Sequence, residues 1–119
     1  MKDLHERLFA LSPDIRYVAL EAGGRADLRS RPGLENASSA ESDRYEELLV
    51  NPTLLTLARR RGDIDCGGLR YLVVGYGNFH QLVIPIVAGH VSVAVELAGD
   101  PMAYLGEVLE VVDGLQAEA

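Results

Sequence analysis

Two histidines lie ten residues apart in the apolar stretch VVGYGNFHQLVIPIVAGHVSV, residues 73–93. Histidine is the commonest metal ligand in proteins, so His80 and His90 together suggest a metal site. The apolar residues of this stretch alternate with a period of two, which is typical of β-strands. At about 3.3 Å per residue, a strand would separate the two histidines by roughly 30 Å, whereas zinc needs its ligands within about 2.3 Å. We therefore expect no metal site here.

The same stretch contains two glycines, Gly75 and Gly77, in a GxG arrangement. Such glycines can open a dinucleotide-binding loop, but that loop requires a strand-to-helix turn whose helix N-terminus faces the pyrophosphate. Gly77-Asn78 is instead a strong signal for a two-residue turn between antiparallel strands. The sequence thus predicts a hairpin and no bound cofactor.

The only cysteine, Cys66, lies in the segment DIDCGG, residues 63–68. This segment begins like a calcium-binding loop, but the position of the bidentate glutamate falls on Val74, which favours a glycine-rich turn between a helix and a strand. A thiolate nucleophile needs an activating neighbour, and no histidine is near Cys66 in the sequence. An enzyme with a site built from Cys66, His80 or Glu96 stays an alternative, although no pattern places these residues together.

Two groups of arginines could bind an acidic partner. Arg25, Arg29 and Arg31 share one face of a predicted strand, where they either dock a partner or protect a sheet edge against aggregation. The run Arg59–Arg61 falls in the last turn of a predicted helix, where the helix dipole favours cations. We take the strand arginines as the candidate docking site.

Length and charge limit the kinds of partner. The chain has 119 residues, which is the size of a single domain (1–119), and a net charge of −7. An acidic protein repels phosphate groups, so we expect neither nucleic acid nor an anionic membrane as a partner. No apolar run reaches the roughly 18 residues of a membrane span. The N-terminus MKDLHERLFAL lacks the unbroken apolar core of a signal peptide, and with a single cysteine we expect a cytoplasmic protein.

The hydrophobic pattern predicts helices and strands in the order α-ββ-α-βββ-α. The predicted elements are a helix with Leu4, Leu8 and Leu11 on one face, two strands around Gly23-Gly24, a helix over 39–61, the strands Leu69–Tyr76, Phe79–Val87 and Val91–Leu97, and a final helix that starts at Asp100-Pro101 and is apolar along Leu105, Val108, Leu109 and Val112.

The sequence contains signals for the start, for an interruption and for the end of the central helix. Ser38 and Glu41 have the spacing of a capping box. Asn51-Pro52 predicts either a kink or a restart with Asn51 as the new cap, because proline inside a helix costs about 3 kcal/mol. After the interruption we expect Leu54, Leu57 and Ala58 to face the core. We expect Gly62 to end the helix.

The register of the last three strands follows from the turn and from the apolar alternation. The Gly77-Asn78 turn pairs Tyr76 with Phe79 and therefore Val73 with Leu82. Between the next two strands we expect Ile86 to pair with Val91, which makes residues 87–90 a four-residue loop that contains His90. Pro85 then lies opposite the start of the first of the three strands, where one missing ladder bond costs little.

The layout resembles the Roadblock/dynein light-chain family over nearly the whole chain. The resemblance is carried by the segments HERLFAL, GGRADLRSR, LVVGYGNFHQLVIPIVAGHVSVAVEL and MAYLGEVLEVV. It implies an α+β fold with a five-stranded antiparallel sheet in the order 2-1-5-4-3 and helices on both faces. It also implies a non-enzymatic homodimer or heterodimer that scaffolds or regulates Ras-like small GTPases or motor complexes, with no catalytic residues to carry over.

In that sheet the strand Leu69–Tyr76 is an edge, and we predict a homodimer through it. Its alternation points the backbone groups of Leu69, Tyr71 and Val73 outward, and an apolar edge left open is an aggregation hazard. The helix 39–61 would pack alongside. A sensory module of the PAS or profilin type, with a small ligand between helix and sheet, is the other alternative. It needs converging polar groups on the core face, which is apolar in this register apart from Tyr71 and His80.

Overall fold

The computed structural model describes residues 3–118. It contains one antiparallel sheet in the strand order β2-β1-β5-β4-β3, which confirms the predicted fold. The elements in chain order are α1 Leu4–Phe9, β1 Ile15–Ala22, β2 Arg25–Ser30, α2 Ala40–Tyr45, a π-helical turn Glu46–Val50, α3 Asn51–Asp65, β3 Leu72–Gly75, β4 Phe79–Pro85, β5 Gly89–Glu96 and α4 Pro101–Glu118.

The two faces of the sheet differ in chemistry. On one face α1 and α4 cover an apolar core formed by residues such as Leu8, Val18, Leu82, Val93 and Val108. The other face lies under the continuous helix formed by α2, the π-helical turn and α3. It has a smaller apolar cluster of Tyr17, Ala19 and Ala94, together with several buried polar side chains. We call this second face the polar face, because polar side chains are buried there in place of a wholly apolar interior.

The β3–β4 hairpin has the predicted register. Val73 is opposite Leu82, and the Tyr76 N–H donates to the Phe79 carbonyl over 2.9 Å. The first strand is shorter than predicted, because β3 begins at Leu72 and residues 69–71 lie outside it.

The predicted β4–β5 register is wrong by two residues. Val91 pairs with Ile84 rather than with Ile86. Ile86 and Gly89 exchange backbone hydrogen bonds, which closes a two-residue turn, Val87-Ala88, instead of the predicted four-residue loop. A shift of two leaves every side chain on the same face, so the apolar alternation cannot detect it. Close packing on β1 explains the observed register. A Cβ atom on Gly89 would lie 2.1 Å from the Glu21 carbonyl oxygen, so only glycine fits opposite the end of β1. As a result His90 lies in β5 and not in a loop.

The predicted start of the central helix is wrong by one residue, and the predicted restart with Asn51 as a new cap does not occur. Ser39, not Ser38, is the N-cap and accepts a hydrogen bond from the Ser42 N–H at 3.1 Å. The helix then continues through Pro52 because residues 46–50 form a π-helical turn, closed by the Asn51 N–H on the Glu46 carbonyl. A wider turn before a proline accommodates the ring and its missing N–H. Asn51 is therefore not a cap.

The π-helical turn also changes which residues of α3 face the sheet. Leu54 and Leu57 were expected in the core but are 37% and 64% exposed, while Leu55 is buried. Ala58 is half-buried. One extra residue in a turn rotates all later positions by roughly 100° around the helix axis. The prediction of which α3 residues face the sheet is therefore wrong after the π-helical turn.

The predicted end of α3 at Gly62 is also wrong, since the helix runs to Asp65. Gly62 is helical, and its carbonyl accepts hydrogen bonds from the N–H groups of Cys66 and Gly68. Gly67 and Gly68 have φ values of 78° and 95° and reverse the chain there. The run Arg59–Arg61 consequently lies before the last turn. Among residues 3–118, no helix has the length and apolar character needed to cross a membrane.

Candidate functional site

The most heavily bonded side chain of the polar face is Glu47, in the π-helical turn. Its carboxylate is fully buried against the sheet. It accepts hydrogen bonds from Tyr17 Oη at 2.7 Å, Ser92 Oγ at 2.5 Å, His90 Nε2 at 2.8 Å, Asn51 Nδ2 at 3.0 Å and Gln81 Nε2 at 3.4 Å. We call these six residues the Glu47 cluster. Glu47 lies within the π-helical turn, and such turns are frequently found at functional sites.

The hydrogen bonds keep Glu47 ionised in spite of its burial. Burial by itself would raise the pKa of this carboxyl, but the hydrogen bonds from His90, Ser92 and Tyr17 outweigh it, so the pKa lies below its ordinary value of 4.5. Burial, followed by the charge of Glu47, raises the pKa of the Tyr17 hydroxyl, which stays a donor. The cluster is thus a buried anion surrounded by donors.

The Glu47 cluster contains the residue types of a serine–histidine–acid site but not its geometry. In such a site the histidine accepts the serine proton and the acid orients the histidine. Here Ser92 and His90 both donate to the same carboxylate oxygen of Glu47. The serine hydroxyl also accepts a hydrogen bond from Asn51 Nδ2 at 3.1 Å, and its proton is directed to Glu47 instead of to the histidine. This arrangement attaches the helix to the sheet and does not activate a nucleophile.

Sequence reasoning missed the Glu47 cluster although a signal was present. Gln81, His90 and Ser92 alternate with the apolar residues of their strands, so all three fall on the face opposite the apolar core. Glu47 and Asn51 are four residues apart on the helix that covers this face. The wrong β4–β5 register concealed the pattern, because it placed His90 in a loop.

Beside the Glu47 cluster lies a groove of about 450 Å³ between α2, the π-helical turn and the β3–β4 hairpin. We call it the hairpin groove. Its walls include Tyr45, Tyr76 and Phe79, with the last two rings in edge contact at 5.4 Å. Its acidic groups are Asp43 and Glu46, together with the more deeply buried Glu47.

Glu46 is the half-buried acid of the hairpin groove. The Tyr76 hydroxyl donates to Glu46 Oε2 at 2.8 Å. Burial, then the charges of Glu47 and Asp43, raise the pKa of Glu46 against the opposing effect of the Tyr76 hydrogen bond. Burial and the bond to Glu46 likewise raise the pKa of Tyr76 to about 12. The groove therefore concentrates negative charge next to aromatic rings.

The predicted dimer strand is an edge of the sheet, as the strand order requires. Val73 is 40% exposed, while Leu69 and Tyr71 are half-buried just before β3. The outward side of the neighbouring helix is also apolar. Its exposed large side chains, which we call the apolar helix face, are Tyr45, Leu48, Leu49, Leu54, Leu57 and Ile64.

The arginines of the candidate docking site do not form one group. Arg25 is exposed, and Arg29 forms ion pairs with Asp3 at 2.7 Å and Asp27 at 3.6 Å. Arg31 is half-buried and donates to carbonyl oxygens of its own chain, including that of Ile15 at 2.6 Å. Only Arg25 and Arg29 thus face outward from β2, and docking by them stays a prediction.

The residues of the alternative enzyme site are not brought together. Cys66 is exposed after α3, before β3 begins, whereas His80 is opposite the last residue of β3 and bonds the Leu97 carbonyl at 3.2 Å. Glu96 pairs with Arg16 at 3.3 Å. Within residues 3–118, no three His, Cys, Asp or Glu side chains are placed to hold a metal ion.

The sheet order and the helices on both of its faces define the class of fold expected from the Roadblock resemblance. One solved structure with this arrangement is the gliding protein MglB from Thermus thermophilus, which superposes with a TM-score of 0.65 over 100% of this chain and 95% of that chain. The two sequences are 11% identical, so the likeness concerns the fold. No protein-family model matches the sequence, and no curated protein does either.

Proposed function

We propose that this protein is a dimeric, non-enzymatic scaffold or regulatory module that binds another protein, namely a Ras-like small GTPase or a complex containing one. The proposal is carried by the open edge of β3, together with the exposed leucines of the apolar helix face. An unpaired strand edge and a row of exposed leucines are surfaces for protein contact, and neither offers the converging polar groups of a reaction site.

The two edges of the sheet differ in how they are protected. The β2 edge carries the charges of Arg25, Asp27 and Arg29, which discourage strand pairing. The β3 strand, LVVG, has no charged residue. Pairing β3 with its counterpart in a second copy would close the edge and join the two sheets through a self-complementary interface.

The hydrogen-bond alternation identifies the residues that would make this pairing. The Tyr76 N–H bonds towards β4, so the even-numbered residues of the strand are used inside the sheet. Within β3 this leaves the backbone groups of Val73 pointing outward. Val73, together with Leu69 and Tyr71 just before the strand, is the proposed dimer interface. The apolar helix face is a second exposed apolar surface of the same chain.

The choice of a small GTPase as partner rests on the fold. It is supported by the likeness to MglB and by the resemblance to the Roadblock family, whose members regulate or scaffold Ras-like GTPases. The alternative of a small-ligand sensor is less well supported. Most polar side chains between helix and sheet bond to one another in the Glu47 cluster, and the two cluster members that also line the hairpin groove, Glu47 and Gln81, are bonded to each other.

Two proline substitutions test the dimer. Val73→Pro removes an outward N–H, so the variant should fold normally while its dimer dissociation constant rises at least tenfold. Val74→Pro removes an N–H used within the sheet, so it should lower the free energy of unfolding by about 2–3 kcal/mol. Light scattering measures the mass and urea unfolding the stability. A Val73→Pro protein that dimerises as tightly as the wild type would rule out the β3 interface.

The partner is tested separately. Ras-like GTPases encoded by the same genome, loaded with GDP or with a GTP analogue, are titrated into the protein by calorimetry. We expect one nucleotide state to bind at least tenfold more tightly. If no GTPase binds in either nucleotide state, a small GTPase is ruled out as the partner. The proposed dimer is not affected by that result.

A further inference from the structure

The geometry of β3 limits how two copies can pair. In a two-fold antiparallel pairing, outward-pointing residues bond with outward-pointing residues, which here are the odd-numbered ones. The two registers that keep most of β3 paired are centred on Val73 and on Val74. If the pairing extends past the ends of β3, the first places Arg70 of the second copy opposite Tyr76, and the second places it opposite Asn78. Tyr76 and Asn78 both line the hairpin groove.

Arg70 would approach from the correct side of the sheet. Val74 is opposite Gln81, which bonds Glu47 on the helix side, and the Tyr76 hydroxyl bonds Glu46 on that side as well. Residues two apart on a strand share a face, so a pairing that extends β3 back to Arg70 would place this residue on the helix side, as Val74 is. The groove and the arginine thus lie on the same face of the joined sheets.

The chemistry of the two surfaces is complementary. Arg70 is exposed, and its guanidinium lies over the ring of its neighbour Tyr71 at 5.5 Å, a contact that the long side chain can leave. The hairpin groove offers the Glu46 carboxylate, which accepts a hydrogen bond from Tyr76, together with the rings of Tyr76 and Phe79. A planar guanidinium can bond a carboxylate and stack on an aromatic ring at the same time.

We infer that, in the dimer proposed above, Arg70 of each copy enters the hairpin groove of the other copy and pairs with Glu46. This inference rests on the proposed dimer. Two-fold symmetry makes the contact twice, and the contact adds specificity to backbone bonds that any strand could make.

Charge reversal tests the inference. Arg70→Glu should raise the dimer dissociation constant by roughly thirtyfold, because two partly buried ion pairs are each replaced by repulsion. The control is Arg25→Glu, which makes the same change in net charge on the opposite edge and should shift the constant less than threefold. Adding Glu46→Arg to Arg70→Glu re-forms both pairs with exchanged signs and should recover at least tenfold of the loss.

Sedimentation velocity at two ionic strengths gives the constants, and circular dichroism confirms folding. A wild-type protein that stays monomeric at hundreds of micromolar would overturn the proposed dimer. A wild-type dimer that Arg70→Glu weakens no more than Arg25→Glu would overturn the Arg70 contact alone. If Glu46→Arg unfolds the chain, Arg70→Glu still decides the question, since an exposed residue can be replaced without disturbing the core.

Discussion

Removing the carboxylate of Glu47 should have one of the largest effects of any single substitution in this protein. Glu47→Ala leaves five buried donors facing an empty site: those of Tyr17, Ser92, His90, Asn51 and Gln81. A buried donor without a partner costs about 1–3 kcal/mol. Water entry and rearrangement recover part of this cost, so we expect the free energy of unfolding to fall by about 3–5 kcal/mol, a large share of the stability of a small domain.

Urea unfolding followed by circular dichroism measures this change. Glu47→Gln keeps the shape and one acceptor oxygen but turns an N–H₂ group towards the donors, so its loss should be smaller, at about 2–3 kcal/mol. Glu41→Ala is the matched control, because Glu41 is an exposed glutamate of the same helix, and it should change stability by less than about 0.5 kcal/mol. A Glu47→Ala protein within about 1 kcal/mol of the wild type would refute the anchoring role of the Glu47 cluster.

The pH dependence gives an independent check with a defined sign. The pKa of Glu47 is lowered on folding, so its contribution is fully present above the ordinary pKa of 4.5 and is lost as the pH falls through the folded-state pKa. The stability difference between wild type and Glu47→Gln should therefore be constant near neutrality and shrink below pH 4.5. A difference that grows on acidification would contradict the lowered pKa.

Two further substitutions follow from local geometry. Gly89→Ala would place a Cβ atom 2.1 Å from the Glu21 carbonyl oxygen and should cost more than about 2 kcal/mol in thermal or urea unfolding, whereas Gly106→Ala, in open space on α4, should be neutral or stabilise by about 0.5–1 kcal/mol. Leu57→Glu changes a side chain that is 64% exposed, so the free energy of unfolding should move by less than about 0.5 kcal/mol while light scattering or calorimetry shows weaker association with a second copy or a partner.

The sequence predicts those parts of the fold that depend on local signals. The Gly23-Gly24 and Gly77-Asn78 turns, the start of α4 at Pro101 and the inward apolar face of the strands are all read from turn chemistry and alternation. The β4–β5 register cannot be predicted from local signals, because it depends on how closely β1 approaches Gly89. This is a contact between segments far apart in the chain. The π-helical turn escapes because sequence periodicity assumes a constant helical repeat.

The candidate site is harder to predict because the central helix has an inverted hydrophobic pattern, with polar side chains towards the sheet and apolar side chains towards the outside. Its side towards the sheet carries Glu47 and Asn51, both fully buried, while Leu49 and Leu57 face outward. Hydrophobic periodicity assigns leucines to the core, so it gives the wrong orientation for such a helix.

This inversion has a physical logic. A helix attached to its sheet by apolar side chains has few left for another protein, since most of them are already buried. Here the hydrogen bonds of the Glu47 cluster hold the helix in place and leave the outward leucines uncovered. Attachment and association therefore depend on different residues of one element. Glu47→Ala should act on folding and Leu57→Glu on association, and an equal effect of both on stability would show that the two faces are not separate in this way.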